Sequence, residues 1–325
     1  MKQAAASTLK KSTVIAPVRG AIDSRLASLR RPVRSATATY TPVAAAGDAA
    51  SAMAMSRKTD EQILNDSMFV DISTGLQKDG TRKERVVSSN LGFDRVLEVE
   101  RGRMVLGGAF SVTSVDNTDE GASDEGMMYS LTGYMSLEQK NGFELQSYLT
   151  GGYLMNDRSM TPEVSLGEQT FDERSFMLMS SNYFKYHFKK GEYSIKPMIL
   201  ADLGFNRVNK SESDFIKRDS MNQVTLDLGV GVELEGAHES WGYMLQATAR
   251  NNVWNSNDKV GVNLTSAEGY ISYEIPGEHE TSFSLNGSVS KRLAADITVD
   301  LGLGASATTD GAHGLNANAR IRWHF

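Results

Sequence analysis

The chain has 325 residues, with 34 Lys and Arg against 40 Asp and Glu, a net charge of -6, no Cys, 29 Gly and 6 Pro. With mean hydropathy at -0.34 and no stretch near the roughly 18 to 20 apolar residues of a spanning helix, helical membrane spans are excluded. The lack of cysteine excludes disulfides, thiolate metal sites and Cys nucleophiles, leaving a soluble globular protein or a membrane β-barrel.

Charge divides the chain. Met1 to Lys58 carries ten Lys and Arg against only Asp23 and Asp48, a local net of +8, which leaves 24 basic and 38 acidic residues, a net of -14, for the rest. The basic stretch is rich in Ala, Ser and Thr, so most of it has too little apolar surface to fold alone. Within it Ile15, Val18, Ile22, Leu26 and Leu29 recur at helical spacing between about 14 and 31, and Pro32 ends the pattern. The other face carries Arg19, Asp23, Arg25, Arg30 and Arg31. Three readings of this segment stand: a helix plugging a pore, a solvated linker, or an Arg-rich transit peptide. No continuous apolar export signal follows Met1 to Lys11, and a second candidate helix lies near Asp60 to Asp66. Residues 1–67 are therefore read as a basic linker with a candidate pore helix, and 68–325 as a separate body.

From Met68 onward the period is two. Strands are predicted near 68–77, 84–97, 103–115, 126–139, 143–156, 173–188, 192–207, 221–235, 240–254, 261–274, 281–291, 295–307 and 315–325. In the last, Leu315, Ala317, Ala319, Ile321, Trp323 and Phe325 alternate with Asn316, Asn318, Arg320, Arg322 and His324. Such alternation puts each strand between an apolar and a polar medium. Most segments sustain it for ten residues or more, the length of a tilted spanning strand rather than the five or six usual in soluble sheets. Tyr193, Trp241, Tyr243, Trp323 and Phe325 near strand ends suit an interfacial girdle. Tight turns at 140–142, 189–191 and 237–239 alternate with long polar segments at 116–125, 157–170 and 208–218.

Thirteen strands conflict with the even number of a single-chain bacterial barrel. Parity singles out 255–280: 261–264 and 270–275 are read as an external hairpin containing Pro276-Gly277, leaving an all-β, 12-stranded antiparallel transmembrane barrel with the N-terminal helix in its pore. The polar faces then point Asp71, Glu138, Glu144, Asp202, Asp227, Glu233 and Asp300 into the lumen with Arg320 and Arg322, acids that a basic helix could enter between.

These residues carry a resemblance. Met68-Phe-Val-Asp-Ile-Ser-Thr-Gly-Leu, Asn90-Leu-Gly-Phe-Asp-Arg with Gly107-Gly-Ala-Phe-Ser-Val, Tyr193-Ser-Ile-Lys-Pro-Met-Ile, and Leu315 to Phe325 are similar in order and spacing to strands of the translocator domains of autotransporters, the type V secretion barrels. Ile22-Asp-Ser-Arg-Leu-Ala-Ser-Leu-Arg resembles the helix preceding many such barrels, which marks Arg25 as part of the pore helix. The resemblance implies a Gram-negative outer membrane with its lipid and lipopolysaccharide. It also implies insertion by the Bam machinery through the last strand (Ile321, Trp323, Phe325), and export of an N-terminally attached passenger by a monomeric pore. No passenger sequence stands within 1–67, and the interval 32–67 is longer than the family pattern. Some members cut themselves at a pore-helix Asn; Asn65 is the only Asn in this arm and lies outside the matching helix, so self-cleavage is not expected.

Sharper sites do not emerge. Gly229-Val-Gly231 and Gly302-Leu-Gly304 open no helix and fall on polar strand faces, where small residues make room for lumen contents, so they are not phosphate loops. His187, His238, His279, His313 and His324 lack ligand spacing, and Ser88-Ser89-Asn90 has no His nearby in sequence. No enzyme activity, cofactor, metal or nucleic-acid partner is expected. A free-standing outer-membrane channel with an unrelated basic arm is the alternative function.

Overall fold

The computed structural model describes residues 66–325 except 120–121, 162–166, 239, 257–258, 267, 275–279 and 295. The strands are β1 (Asp66–Asp79), β2 (Arg82–Val99), β3 (Gly102–Asp119), β4 (Ala122–Gln139), β5 (Phe143–Met160), β6 (Gln169–Tyr186), β7 (Phe188–Lys190), β8 (Tyr193–Val208), β9 (Ser211–Glu212), β10 (Ile216–Arg218), β11 (Met221–His238), β12 (Trp241–Asn255), β13 (Lys259–Leu264), β14 (Ile271–Glu274), β15 (Thr281–Arg292), β16 (Ile297–Thr308) and β17 (His313–His324). Twelve of them close a ring of antiparallel neighbours: β1 through β6, then β8, β11, β12, β15, β16 and β17, which returns to β1. Short β7 continues β6 beyond a break at His187 and pairs with β8. Closure runs from Ser67 opposite His324 to Lys78 opposite His313, and Asp66 and Phe325 exchange two backbone hydrogen bonds at the seam. Without free edges, every barrel strand has both ladders satisfied.

The burial pattern is inverted relative to a soluble protein. Leu131, Leu303 and Leu315 are 66%, 72% and 65% exposed, whereas Asp71 and Glu144 on the opposite face are 0% exposed. Alternation forces this, because successive side chains point to opposite faces of the sheet. Apolar residues thus form an outward belt and polar ones fill the interior. At one end of the barrel the connections are short. There Lys291 lies 4.5 Å over the Trp241 ring, while Tyr193 packs on Tyr243 and Phe93 on Phe325 at 6.0 and 6.3 Å between ring centroids. A bulge shifts the register between Leu226 and Asp227 so that Trp254, not Val253, pairs with Leu226. An extra residue in one strand re-aims the side chains beyond it, and here it turns Trp254 outward.

Three expectations need revising. The segment at 116–125 is not a long loop: β3 and β4 pair as far as Asp119 opposite Ala122, because side chains there bond across the ladder, Asn117 donating to Asp124 at 3.0 Å and Thr81 to Asp119 at 2.6 Å. The segment at 157–170 is strand at both its ends, paired as far as Met160 opposite Gln169. The third is 208–218, which folds rather than staying a solvated connection. Its β9 pairs with β10, β10 with β13 and β13 with β14, in a four-stranded sheet apart from the ring. The hairpin expected at 261–264 and 270–275 is thus outside the barrel ladder, while its Pro276-Gly277 lies outside the described residues. The small sheet stays because Ile216, Val260 and Val262 bury an apolar face against Met160, Phe171, Val208 and Met221 at the barrel mouth.

Candidate functional site

The interior wall between β1 and β8 is bulky and sealed. Phe69, Tyr134, Tyr148, Tyr183, Met198 and Leu200 form one buried cluster, and ionised side chains are set into it where strand parity aims them inward. Toward the short-turn end, Lys185 of β6 meets Glu233 of β11 at 2.6 Å, and Lys196 of β8 lies 3.4 Å from Glu233, 3.8 Å from Glu144 and in contact with Glu235. His187 bridges Glu138 at 3.2 Å and Glu144. Across the seam, Asp71 accepts from Asn90 at 2.7 Å, from Arg320 at 3.3 Å and from Asn318 at 3.4 Å, and Asp300 pairs with Arg322 and lies 3.9 Å from Arg320. Arg320 also stacks on Phe69, 5.2 Å from the ring centroid. Buried ions cost several kcal/mol each unless matched; the barrel supplies the counterions from its own strands.

All nine residues read from the sequence as lumen-facing lie on the inward face. Asp202 meets Arg250 at 3.3 Å and Asp227 accepts from Asn252 at 2.6 Å. Their partners Lys185, His187, Lys196, Glu235 and Arg250 were missed, although the same odd-even alternation marks them as inward. Parity gives the face of a residue; which strands meet across the curve of the barrel depends on register. The pore-helix candidates Ile15, Val18, Ile22, Arg25, Leu26 and Leu29 lie outside the described residues. Ile321, Trp323 and Phe325 are exposed on the outward face of the last strand and its end.

Glycines shape the remainder of the wall. A Cβ at Gly229 would stand 2.9 Å from Cγ of Arg250. Its absence lets Arg250 lie across β11, where its guanidinium donates to Tyr183 on β6 at 3.1 Å and reaches Asp202 on β8. At the opposite end of the barrel a second charge cluster joins Arg158 to Asp124 at 3.3 Å, Arg82 to Glu84 at 3.7 Å, and Arg218 of β10 to Glu173 of β6. Burial pushes the Asp124 carboxyl above the ordinary carboxylate range despite Arg158. At the short-turn rim, Asp66 takes a bidentate pair of 2.6 Å hydrogen bonds from Arg95, which holds its carboxyl below that range. Among the described residues no group of three or more His, Asp or Glu is arranged to hold a metal ion.

The architecture has relatives. Residues 79–319 match the family model described as Autotransporter beta-domain. The chain is similar in structure to the translocator domain of autotransporter NalP from Neisseria meningitidis, with a TM-score of 0.65 at 8% identity, covering 97% of this chain and 100% of that one. It is also similar to the β-domain of the Bordetella autotransporter BrkA, with a TM-score of 0.60 at 14% identity over 80% and 100%. The transport unit of AIDA-I from Escherichia coli gives 0.50 at 12% identity over 82% and 92%. At these identities the likeness is one of fold. Sequence comparison with curated proteins returned no match.

Proposed function

Because the chain belongs to the autotransporter β-domain family, we propose that it is an outer-membrane translocator that exports a passenger attached to its N-terminus and anchors it to the cell surface. The observation that carries this reading is the closed twelve-stranded ring with apolar residues outside and paired ions inside, a surface stable only against lipid. In this reading the short turns face the periplasm and the β9–β10 and β13–β14 excursions face outward. The last strand, ending in Ile321, Trp323 and Phe325, presents the terminus recognised by the Bam machinery. The segment 14–31 fills the pore after transport, the barrel works as a monomer in lipid and lipopolysaccharide, and it carries out no catalysis.

The test is a reporter domain fused ahead of Met1 and expressed in a Gram-negative cell. External protease should release the reporter from intact cells while the barrel keeps the anomalous migration of a folded β-barrel on unheated detergent gels. A folded barrel with its reporter retained inside would overturn export. Removing 1–65 should raise conductance in planar bilayers, and unchanged conductance would overturn the plug.

A further inference from the structure

Charge is handled differently on the two faces of the barrel. Inside, the buried cations Lys185, Lys196, Arg320 and Arg322 meet carboxylates supplied by neighbouring strands. Outside, at the long-segment end, Lys78 of β1 and Lys83 and Arg85 of β2 are exposed on the outward face just past the apolar belt. Register places Lys78 directly opposite Lys83, and Arg85 directly opposite Leu76, so neighbouring cations stand about 5–7 Å apart at their Cβ atoms. Like charges directly opposite one another destabilise a sheet, and an anion between them removes that cost. Among the described residues none of the three has a carboxylate within ion-pairing distance. The nearby acids are turned away or already engaged. Asp79 and Glu84 lie on the inward parity, Asp119 accepts from Thr81 at 2.6 Å, and Asp310 accepts from Thr308 in its own turn. Asp116 is opposite Arg85 in register and forms no ion pair with it.

We propose that Lys78, Lys83 and Arg85 form a binding site for the headgroup phosphate of a phosphorylated glycolipid in the outer leaflet. The site rests on the outer-membrane reading and its orientation, which put this rim at the cell surface, and goes beyond it by assigning one lipid headgroup to one face of the barrel. Placement argues for a lipid. Directly beneath the cations, Leu76 and Leu315 are 58% and 65% exposed and sit opposite each other, so a phosphate held above them has its acyl chains against the apolar belt. Chemistry argues for a phosphate monoester, whose three free oxygens accept from two ammonium groups and a guanidinium fork at once. The neighbouring face sets the boundary. On β3 to β6 the corresponding outward positions are Asp116, Glu125, Asp157 and Asp172, each directly opposite the next, and this acidic row repels a phosphate.

The full-length chain, folded in detergent with divalent cations chelated, would be titrated with a diphosphorylated acyl-glucosamine disaccharide and with its dephosphorylated form, and retained lipid counted by native mass spectrometry. Each cation removed should weaken binding of the phosphorylated lipid about fivefold, so Lys78→Gln/Lys83→Gln/Arg85→Gln should lose roughly a hundredfold. Lys190→Gln at the short-turn end should bind as the parent does, and the dephosphorylated lipid should not distinguish parent from triple variant. Equal binding of the two lipids by the parent, or parental affinity in the triple variant, would overturn the site. Inorganic phosphate that displaces the lipid at equimolar concentration would assign the cations to free anions and overturn the lipid. If the triple variant does not fold, Arg85→Gln alone must show the fivefold loss. Gel migration of unheated protein separates the two readings: a parent that never migrates as a folded barrel overturns the membrane reading, whereas a folded barrel blind to the phosphate overturns the site alone.

Discussion

Gly107 has a neighbour that leaves no room for any side chain. A Cβ placed there would lie 2.2 Å from Cζ of Tyr134 and 2.4 Å from its Cε2 and Oη, whereas carbon atoms rest at about 3.5–4.0 Å. Tyr134 sits directly opposite on β4, is 4% exposed and donates its hydroxyl to Asp94 at 3.0 Å. Asp94 also accepts from Ser67 at 2.7 Å, so the ring ties β4 to β2 and β1 beneath Gly107. Gly107→Ala must move the ring by more than an ångström. That forfeits a hydrogen bond to a charged group, about 1.5–3 kcal/mol, and adds overpacking of about 1–3 kcal/mol, for a total of roughly 2.5–6 kcal/mol. The assay is the temperature at which detergent-solubilised barrel loses its fast-migrating form on gels. For a protein of this size each kcal/mol shifts the midpoint by about 2–4 °C, so a fall of roughly 5–24 °C is expected. In a Tyr134→Ala background the same methyl meets no ring and should cost little, making the double variant far less destabilised than the sum of the singles. A Gly107→Ala midpoint equal to that of the parent, or strict additivity, would refute the argument.

The charge networks give three further outcomes. Lys196→Met leaves Glu144, Glu233 and Glu235 without their shared ammonium and should lower the melting midpoint by the equivalent of about 3–5 kcal/mol; a midpoint within error of the parent would show that the cluster relaxes. Arg250→Gln removes the cation beside Asp202 and should shift the reversal potential in a KCl gradient toward cation selectivity, and an unmoved potential would place Arg250 away from the ions. Arg95 depresses the Asp66 carboxyl, so that pair stabilises the folded barrel above the ordinary carboxylate pKa and is lost as pH falls through the lower folded value. Asp66→Asn should accordingly reduce the melting midpoint slightly at pH 7 and by progressively less as pH falls below the ordinary carboxylate range, and an effect that does not shrink with falling pH would assign the loss to something other than charge.

Much of this protein is written in alternation. Leu315 to Phe325 announce a strand with one wet and one apolar face, and the inward position of Asp71, Glu233 or Arg320 follows from counting residues by twos. The same count extended to Lys185 and Lys196 would have found the missing cations, whereas their pairing with Glu233 and Glu144 depends on which strands the ring brings side by side. The extension of β3 and β4 past the apolar belt was hidden for a similar reason. Asp116–Glu125 is as polar as any solvated loop, and only its partners across the ladder make it a strand. The segment 208–218 shows this most sharply: Phe215 and Ile216 are two adjacent apolar residues in a polar stretch with no alternation, and the strand at Ile216 exists because β13, more than forty residues later in the chain, lies beside it over the barrel mouth. The amino-acid sequence by itself determined the strands, their faces and their even number, because a period of two and chain parity are local arithmetic. Tertiary structure alone decided the counterions and the folded excursions, because each depends on register and curvature between strands far apart in the chain.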